Sequence, residues 1–326
     1  MTDIAMTPGA ATKAADRGTL VIAGRRELAD GVAELTLARP DDTRLPDWTP
    51  GAHIDVVLPN GLTRQYSLCG DRWDAATYRI AVQRAPDGRG GSAWLHEHAR
   101  PGDAIGFGGP RNSFRLAPAE DHLFIAGGIG ITPLLPMIRQ ADLLDLPWRL
   151  LYLGRSRARL AYLEDLAPFG DRVTVHCADE LGRAELDAWR PAQPATRVYA
   201  CGPERLLDAV RDWGALPGGF PPKVERFAAA TDAASAPGTT FDVVAARSGV
   251  TVTVQADESI VTALRRAEVE VITSCAQGVC GTCETDVLDG RPDHRDSLLD
   301  DAERAASRCL FPCVSRSRDP RLVLDL

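Results

Sequence analysis

Four cysteines near the C-terminal end of the chain place the strongest constraint on its fold. Cys275, Cys280 and Cys283 are separated by four and by two residues, and Cys313 follows thirty residues after Cys283. This spacing lets three thiolates converge from one tight loop, while the fourth arrives from a separate element and completes the set. The chain must therefore build a loop and a second segment that meet at one point.

The same spacing is the ligand pattern of plant-type 2Fe–2S ferredoxins, so it predicts a 2Fe–2S cluster held by these four cysteines. Gly278 and Gly281 lie inside the loop. They allow it to bend and to bring backbone N–H groups close to the sulfurs, where they offset the negative charge of the cluster.

A zinc ribbon is the alternative, because four thiolates also suit tetrahedral zinc. It would use Cys280, Cys283, Cys309 and Cys313, would leave Cys275 without a role, and would not explain the glycines. In the cluster interpretation, Cys309 is a buried thiol or a near neighbour of the site.

The length and net charge of the chain limit the number of domains and the kinds of partner that it can have. A chain of 326 residues predicts two or three domains, and its net charge of −8 argues against nucleic acid as a partner. It contains no apolar run of the roughly 20 residues needed to cross a membrane. Residues 1–18 are interpreted as a disordered leader, and eight cysteines without a secretory signal predict a cytoplasmic protein.

Residues 19–117 show many short strands separated by Gly, Pro, Asn and Asp turns, which predicts an antiparallel barrel. The first candidate site on it is Arg64-Gln65-Tyr66-Ser67, where Arg64 and Tyr66 share one strand face. An aromatic ring beside a guanidinium suits a flat ligand with a phosphate tail. The second is Gly88-Arg89-Gly90-Gly91-Ser92, whose backbone N–H groups precede a short helix and could bind an anion. An exposed edge strand and a flexible hairpin loop are the alternatives.

Residues 118–226 alternate strands and helices, which predicts a doubly wound parallel sheet. A glycine-rich turn, Gly127-Gly128-Ile129-Gly130-Ile131-Thr132-Pro133, follows the first strand and is predicted to bind a pyrophosphate, with Thr132 as the N-cap of the next helix. Two further segments lie at strand ends, where ligands of such sheets bind: Arg155-Ser156 and Cys201-Gly202-Pro203. Plain turns and strand-end packing are the alternatives.

Residues 227–238 are small and polar and are interpreted as a linker. A hairpin and a helix then precede the cysteine loop, which predicts a β-grasp fold over 239–326. This segment has fifteen Asp/Glu and ten Lys/Arg, a net charge of −5. It is expected to attract a basic docking surface on a partner, unless the charge serves only solubility.

These motifs together resemble the ferredoxin–NADP reductase superfamily, and in particular the phthalate dioxygenase reductase and vanillate demethylase reductase group. The resemblance rests on Arg64-x-Tyr66-Ser67 with Gly88 to Ser92, on the Gly-Gly-x-Gly-x-Thr-Pro turn, and on Arg111-Asn112-Ser113-Phe114. Cys313-Val-Ser-Arg316 also resembles the fourth-ligand segment of the ferredoxin-type domains of such reductases. The order of flavin barrel, nucleotide domain and C-terminal ferredoxin is the same.

The resemblance implies FMN near Arg64, Arg89 and Ser92, with Tyr66 flat against its ring. It also implies NADH bound at the glycine turn, with Cys201 and Phe227 near the nicotinamide. Cys201, Tyr66 and Ser67 are thus the expected contacts of the reacting rings. Arg155 and Ser156 could hold a 2′-phosphate and so favour NADPH, but the group is mainly NADH-dependent, and NADH is expected.

The three sites in order form an electron path from NADH to FMN to the 2Fe–2S cluster and on to an oxygenase. By resemblance, the expected partner is a Rieske non-haem iron protein acting on an aromatic substrate. The alternatives are a cytochrome P450 partner, a stand-alone flavin reductase, and a zinc-stapled regulatory protein that binds nucleotide.

Overall fold

The computed structural model describes residues 17–85, 88, 90–227, 238–299 and 301–326. Residues 1–16 of the expected leader and 228–237 of the expected linker lie outside this part of the chain, as does Arg89. Arg17 and Gly18 already belong to the first strand. Within the described residues, no helix has both the length and the apolar character needed to span a membrane.

The first six strands form an antiparallel sheet with the order β4-β3-β6-β1-β2-β5. An isolated bridge between Leu68 and Ile80 joins the two ends of the sheet, which curls it into the expected barrel. The helix α1 (Gly91–His98) follows β5. The strands are β1 (Arg17–Ala29), β2 (Val32–Ala38), β3 (His53–Val57), β4 (Thr63–Ser67), β5 (Thr77–Gln83) and β6 (Ala104–Arg111).

Strand β3 departs from the simple alternation of a barrel strand. Ile54 and Val56 are fully buried in the barrel core, as period-two alternation requires. His53 and Asp55 on the opposite face are also buried, although they are polar. Something must therefore cover the outer face of this strand, and the third domain does so, as described below.

The second domain is a five-stranded parallel sheet with the order β11-β10-β7-β8-β9, which confirms the doubly wound prediction. Phe124 and Ala126 of β7 pack in one core with α2, while Leu123 and Ile125 pack with α5 on the other face. The elements are β7 (Asp121–Gly127), α2 (Ile131–Leu143), β8 (Trp148–Gly154), α3 (Leu163–Leu166), β9 (Val173–Cys177), α4 (Ala178–Leu181), β10 (Thr196–Cys201), α5 (Glu204–Arg211) and β11 (Lys223–Glu225).

The expected N-cap of α2 is wrong. Gly128–Gly130 form a 3₁₀ turn that runs directly into the helix, so Gly130 is the N-cap and Thr132 lies in the first helical turn. The Thr132 hydroxyl donates a hydrogen bond to the Ile129 carbonyl at 3.0 Å. Pro133 still fits, because first-turn residues have no intrahelical partner for an N–H group.

The third domain has a mixed sheet with the order β13-β12-β18-β14-β16 and a small two-stranded sheet of β15 and β17. Ser259 caps α6 by accepting a hydrogen bond from the Thr262 N–H at 3.1 Å. The elements are β12 (Phe241–Ala245), β13 (Val250–Val254), α6 (Ile260–Arg266), β14 (Thr285–Asp289), β15 (Pro292–Asp293), α7 (Asp301–Ala306), β16 (Cys309–Leu310), β17 (Arg316–Ser317) and β18 (Arg321–Leu324).

The barrel and the parallel sheet share a continuous core. Cys69 and Phe114 of the barrel segment pack in one buried cluster with α2 and β7. At the edge of this contact, the Tyr162 hydroxyl donates to Glu34 Oε2 at 2.9 Å, and Arg26 pairs with the same carboxylate at 2.8 Å. The two domains thus meet through both apolar packing and a buried polar network.

Candidate functional site

The candidate phosphate site of the barrel is assembled from β4 and the start of α1. A Cβ atom at Gly91 would lie 2.6 Å from Cγ and Nε of Arg64, so only glycine lets the arginine lie against the helix start. Gly90 takes the left-handed conformation, with φ of 78°. The structure therefore brings Arg64 together with Gly90 and Gly91, as the sequence predicts.

Ser92 and Tyr66 complete this region. The Ser92 hydroxyl accepts a hydrogen bond from the Ala85 N–H at 3.1 Å, which holds the two ends of the glycine-rich loop together. Tyr66 is partly exposed and packs its ring against the barrel core. Burial raises the pKa of its hydroxyl, and nearby Arg64 opposes that shift, so the phenol stays neutral. A neutral aromatic ring beside a guanidinium is suited to a flat ring with an anionic tail.

Gln65 and Ser67 point to the other face of β4. Gln65 lies opposite Asp55 and Ser67 lies opposite His53 in the β3–β4 pair. The Gln65 amide donates to Asp55 Oδ1 at 2.7 Å and to the Ser274 hydroxyl at 2.5 Å. Its side chain therefore reaches the third domain instead of joining Arg64 and Tyr66.

The glycine turn after β7 is pressed against the end of β10. A Cβ atom at Gly130 would lie 2.1 Å from the carbonyl oxygen of Cys201, and one at Gly127 would lie 2.6 Å from Cδ of Pro203. The candidate pyrophosphate turn and the Cys201-Gly202-Pro203 segment thus form one contiguous site. Both lie at the carboxyl ends of parallel strands, where ligands of such sheets bind.

Arg155 and Ser156 follow β8 at the same edge of the sheet, and Arg155 is exposed. The Arg155 carbonyl accepts a hydrogen bond from the Asp179 N–H at 3.0 Å. The side-chain ligand atoms of Asp179, Glu180 and Cys177 lie within 4.8 Å of one another. Because the end of β9 pairs with the end of β8, these two carboxylates follow closely on the strand beside Arg155, and we expect them to disfavour the 2′-phosphate that distinguishes NADPH from NADH.

The four cysteines of the predicted cluster site converge as the spacing requires. Cys280 lies close to Cys275, and Cys313 lies close to both Cys275 and Cys283. The Gln277 N–H donates to Cys275 Sγ at 3.2 Å, which is the backbone-to-sulfur contact expected of this loop. Gly278 and Gly281 adopt φ of 67° and 74°.

The chemistry of this donor set fits a binuclear cluster better than zinc. Among the described residues, no three of Cys275, Cys280, Cys283, Cys309 and Cys313 have sulfur atoms within 4.8 Å of one another. Zinc bonds of about 2.3 Å would place tetrahedral sulfurs about 3.8 Å apart. Cys309 lies on β16 beside Glu284, and burial followed by that carboxylate raises its pKa to about 12. Its expected role as a buried thiol or a near neighbour of the site stays a prediction.

The cluster loop covers the outer face of β3 and β4. The Ser274 hydroxyl donates to Asp55 Oδ1 at 2.7 Å, and His53 Nε2 lies 3.1 Å from the Cys280 carbonyl oxygen. Asp55 also pairs with Arg111 at 2.5 Å. This contact explains why His53 and Asp55 are buried on an outward-facing strand face.

Comparisons with known proteins agree with this arrangement. The family model for the 2Fe–2S iron–sulfur cluster binding domain matches residues 243–318. Phenoxybenzoate dioxygenase subunit beta from Ectopseudomonas oleovorans is 46% identical over 304 residues, which cover 91% of this chain and 94% of the relative. Phthalate dioxygenase reductase from Burkholderia cepacia is 38% identical over 316 residues, with 94% and 97% covered.

Solved structures match over the same extent. The structure titled phthalate dioxygenase reductase superposes with a TM-score of 0.68 at 37% identity and covers 95% of this chain and 98% of that chain.

This chain belongs to the phthalate dioxygenase reductase family.

A second structural match is an intact type IV self-sufficient cytochrome P450 monooxygenase, with a TM-score of 0.88 at 38% identity. The match covers 95% of this chain but only 41% of that longer one. As a member of the phthalate dioxygenase reductase family, this chain is an NADH-dependent oxidoreductase and the reductase component of an oxygenase system, with FMN and a 2Fe–2S cluster.

Glu225 is a candidate residue that the sequence analysis does not single out. It ends β11, directly beside Cys201 at the end of β10. Its Oε2 is buried and has no hydrogen-bond partner among the residues that the structure describes, and burial raises the pKa of the carboxyl to about 8. Burial, reinforced by Glu225, also raises the pKa of the Cys201 thiol. In the sequence, Glu225 can be recognised only as a carboxylate near the end of a predicted strand. Its position beside Cys201 follows from the pairing of β10 with β11, which the sequence does not reveal.

Phe227 lies two residues beyond Glu225 and is 48% exposed. An exposed aromatic ring next to the Cys201 segment is available to a ligand. Its expected place at the flavin–nicotinamide junction remains a prediction.

Proposed function

We propose that this reductase passes electrons from NADH to a Rieske non-haem iron oxygenase that acts on an aromatic acid or ether. The observation that carries the proposal is the contact of the cluster loop with the strand that bears Arg64 and Tyr66. That contact puts the end of the proposed flavin site beside the cysteine site. The relatives named for phthalate, phenoxybenzoate and vanillate oxygenation support an aromatic substrate.

The proposed cofactor contacts follow from the geometry above. Arg64 and the backbone of Gly90 and Gly91 would hold the FMN phosphate, and Tyr66 would lie against its ring. The glycine turn and Cys201 would hold NADH. FMN accepts an electron pair as hydride and releases single electrons, which is the chemistry needed between a nicotinamide and a 2Fe–2S cluster.

A cytochrome P450 partner is the second candidate, because two P450 structures contain a segment similar to this chain. The acidic ferredoxin domain would suit a basic surface on either partner. We also propose that the protein works in the cytoplasm, since none of its eight cysteines, all within the described residues, forms a disulfide, and a reducing compartment keeps cysteines in that state.

The test uses Cys313→Ser, with Cys309→Ser as the matched control. Cys313→Ser is expected to abolish NADH-driven product formation by an added Rieske oxygenase, while NADH-to-ferricyanide activity through the flavin is retained. Cys309→Ser is expected to retain both activities and the visible absorption of the cluster. Product formation by Cys313→Ser at the wild-type rate would contradict the electron path, and turnover with a P450 but with no Rieske oxygenase would favour the second candidate.

A further inference from the structure

The contact between the barrel and the cluster loop is a closed polar network. Asp55 Oδ1 accepts one hydrogen bond from the Gln65 amide and one from the Ser274 hydroxyl, each at 2.7 Å. Gln65 also donates to the Ser274 oxygen at 2.5 Å. The three side chains therefore satisfy one another in a triangle, which exists only when the two domains are docked.

The charge of Asp55 is balanced from the barrel side. Its Oδ2 pairs with Arg111 at 2.5 Å, and both side chains are largely buried. A buried ion pair of this kind adds little net stability but is costly to break, because one uncompensated charge is left behind. The barrel therefore offers the Ser274 hydroxyl an acceptor, the Asp55 carboxylate, whose charge is already balanced by Arg111.

A second hydrogen bond fixes the orientation of the loop. A carbonyl oxygen only accepts, so His53 must carry its proton on Nε2 to donate to Cys280 at 3.1 Å. His53 is almost fully buried. Two points of attachment, at Ser274 and at Cys280, prevent the loop from rotating on the barrel surface.

The residues of this network lie next to the residues of both proposed cofactor sites in the sequence. Ser274 immediately precedes Cys275, and Cys280 is itself a cluster-site cysteine. Gln65 lies between Arg64 and Tyr66 of the proposed flavin site. The network therefore joins the backbone of one cofactor site to the backbone of the other.

We propose that Asp55, Gln65, Ser274 and His53 form a polar clamp that positions the cluster loop for electron transfer from the flavin. Ser274 is the positioning residue on the cluster side, and Asp55 is its anchor on the barrel. This inference rests on the proposed electron path, in which the flavin held beside Arg64 and Tyr66 would supply single electrons to the cluster held by Cys275, Cys280, Cys283 and Cys313. The clamp fixes the separation of the two centres and takes no part in the redox chemistry.

The test compares Ser274→Ala, which loses the hydroxyl, with Ser274→Thr, which keeps it. Ser248→Ala, in the exposed turn after β12, is the matched control. The full-length holoprotein is mixed with NADH in a stopped-flow instrument, and flavin and cluster absorption are followed separately. Flavin reduction by NADH is expected at the wild-type rate in every variant. Cluster reduction is expected to slow by about tenfold or more in Ser274→Ala, because small misplacements of reacting centres are costly, and to recover in Ser274→Thr.

Hydrogen exchange supplies a readout that does not depend on turnover. Peptides covering 53–67 and 270–284 are expected to exchange faster in Ser274→Ala than in wild type and to be unchanged in Ser248→Ala. Wild-type exchange and wild-type cluster reduction in Ser274→Ala would overturn the clamp. Failure of NADH to reduce the cluster in wild type would instead overturn the proposed electron path, while the exchange comparison would still decide the clamp.

Discussion

At the scale of single residues, the sites depend on a few side chains whose surroundings give them unusual properties. Gly130 is required because a Cβ atom there would collide with the Cys201 carbonyl, and Gly91 leaves room for the Arg64 side chain at the start of α1. Glu225 is the clearest case of an altered acid, since its buried Oε2 has no hydrogen-bond partner within the described part of the chain. Its effect can be read from the dependence of stability on pH.

Glu225→Gln is expected to make the stability of the folded protein less sensitive to rising pH. The pKa of Glu225 is raised to about 8 in the folded state, so the folded protein holds a proton that the unfolded chain has lost. Stability therefore falls between the ordinary glutamate pKa of about 4.3 and pH 8, by at most about 1.4 kcal/mol per pH unit. Glutamine removes this loss, so the Tm of the variant relative to wild type should increase from pH 5 to pH 8.

The measurement is a series of thermal melts without added nucleotide. Glu204→Gln, at the exposed start of α5, removes a solvent-exposed carboxylate and is the control. A Tm difference for Glu225→Gln that stays constant with pH would show that Glu225 is ionised in the folded protein.

At the scale of elements, the sequence predicts most of the sheet elements and the location of the sites, but not all of the contacts. Hydrophobic alternation and glycine-rich turns identify the barrel strands and the turn after β7. The start of α2 is missed because a 3₁₀ turn extends the helix towards Gly128, which local capping preferences do not reveal. The outward partners of β3 and β4 are missed because they come from more than 200 residues away in the chain.

The ends of β8 and β9 give a prediction about nucleotide choice. Replacing Asp179 and Glu180 together with serine removes two negative charges from the segment whose backbone bonds Arg155. NADPH should then be used better, with kcat/KM rising by about thirtyfold, because each removed repulsion contributes on the order of 1 kcal/mol at a solvent-exposed site.

Steady-state kinetics with NADPH and NADH would measure this change, with ferricyanide as acceptor. The same substitution at Glu164 and Asp171, which are both exposed, is the matched control and should leave the preference unchanged. If the ratio of kcat/KM for NADPH to kcat/KM for NADH is the same in the Asp179/Glu180 variant as in wild type, these carboxylates do not determine the nucleotide preference.

At the scale of the whole molecule, three domains are joined by two different kinds of contact. The barrel and the parallel sheet share an apolar core and the Glu34–Tyr162 network, whereas the barrel and the ferredoxin domain meet through polar groups. Sequence analysis predicts the order and type of the domains from their motifs. It does not predict how they pack, since no local pattern indicates which distant side chains will meet.

Tyr162→Phe is expected to weaken the contact between barrel and nucleotide domain. It removes a buried hydrogen bond to Glu34 and a contact with Cys69, at a cost of about 1.5 to 3 kcal/mol for a bond to a charged group. A fall in Tm of several degrees is expected, with faster hydrogen exchange in β2.

Tyr152→Phe is the matched control, because the Tyr152 hydroxyl bonds only within its own domain, to the Ala161 carbonyl at 3.1 Å. It should lower Tm without speeding exchange in β2. Unchanged exchange of β2 in Tyr162→Phe would show that apolar packing alone holds these two domains together.

Strand β4 carries Arg64 and Tyr66 on one face and Gln65 on the other, so its two faces share one backbone. A ligand that restrains this backbone from the Arg64 side reduces the conformational freedom that docking of the Ser274 loop would otherwise have to remove. By thermodynamic reciprocity, docking must then favour retention of that ligand to the same degree. Maturation of this reductase is therefore expected to be cooperative, with assembly of either prosthetic centre making the other harder to lose.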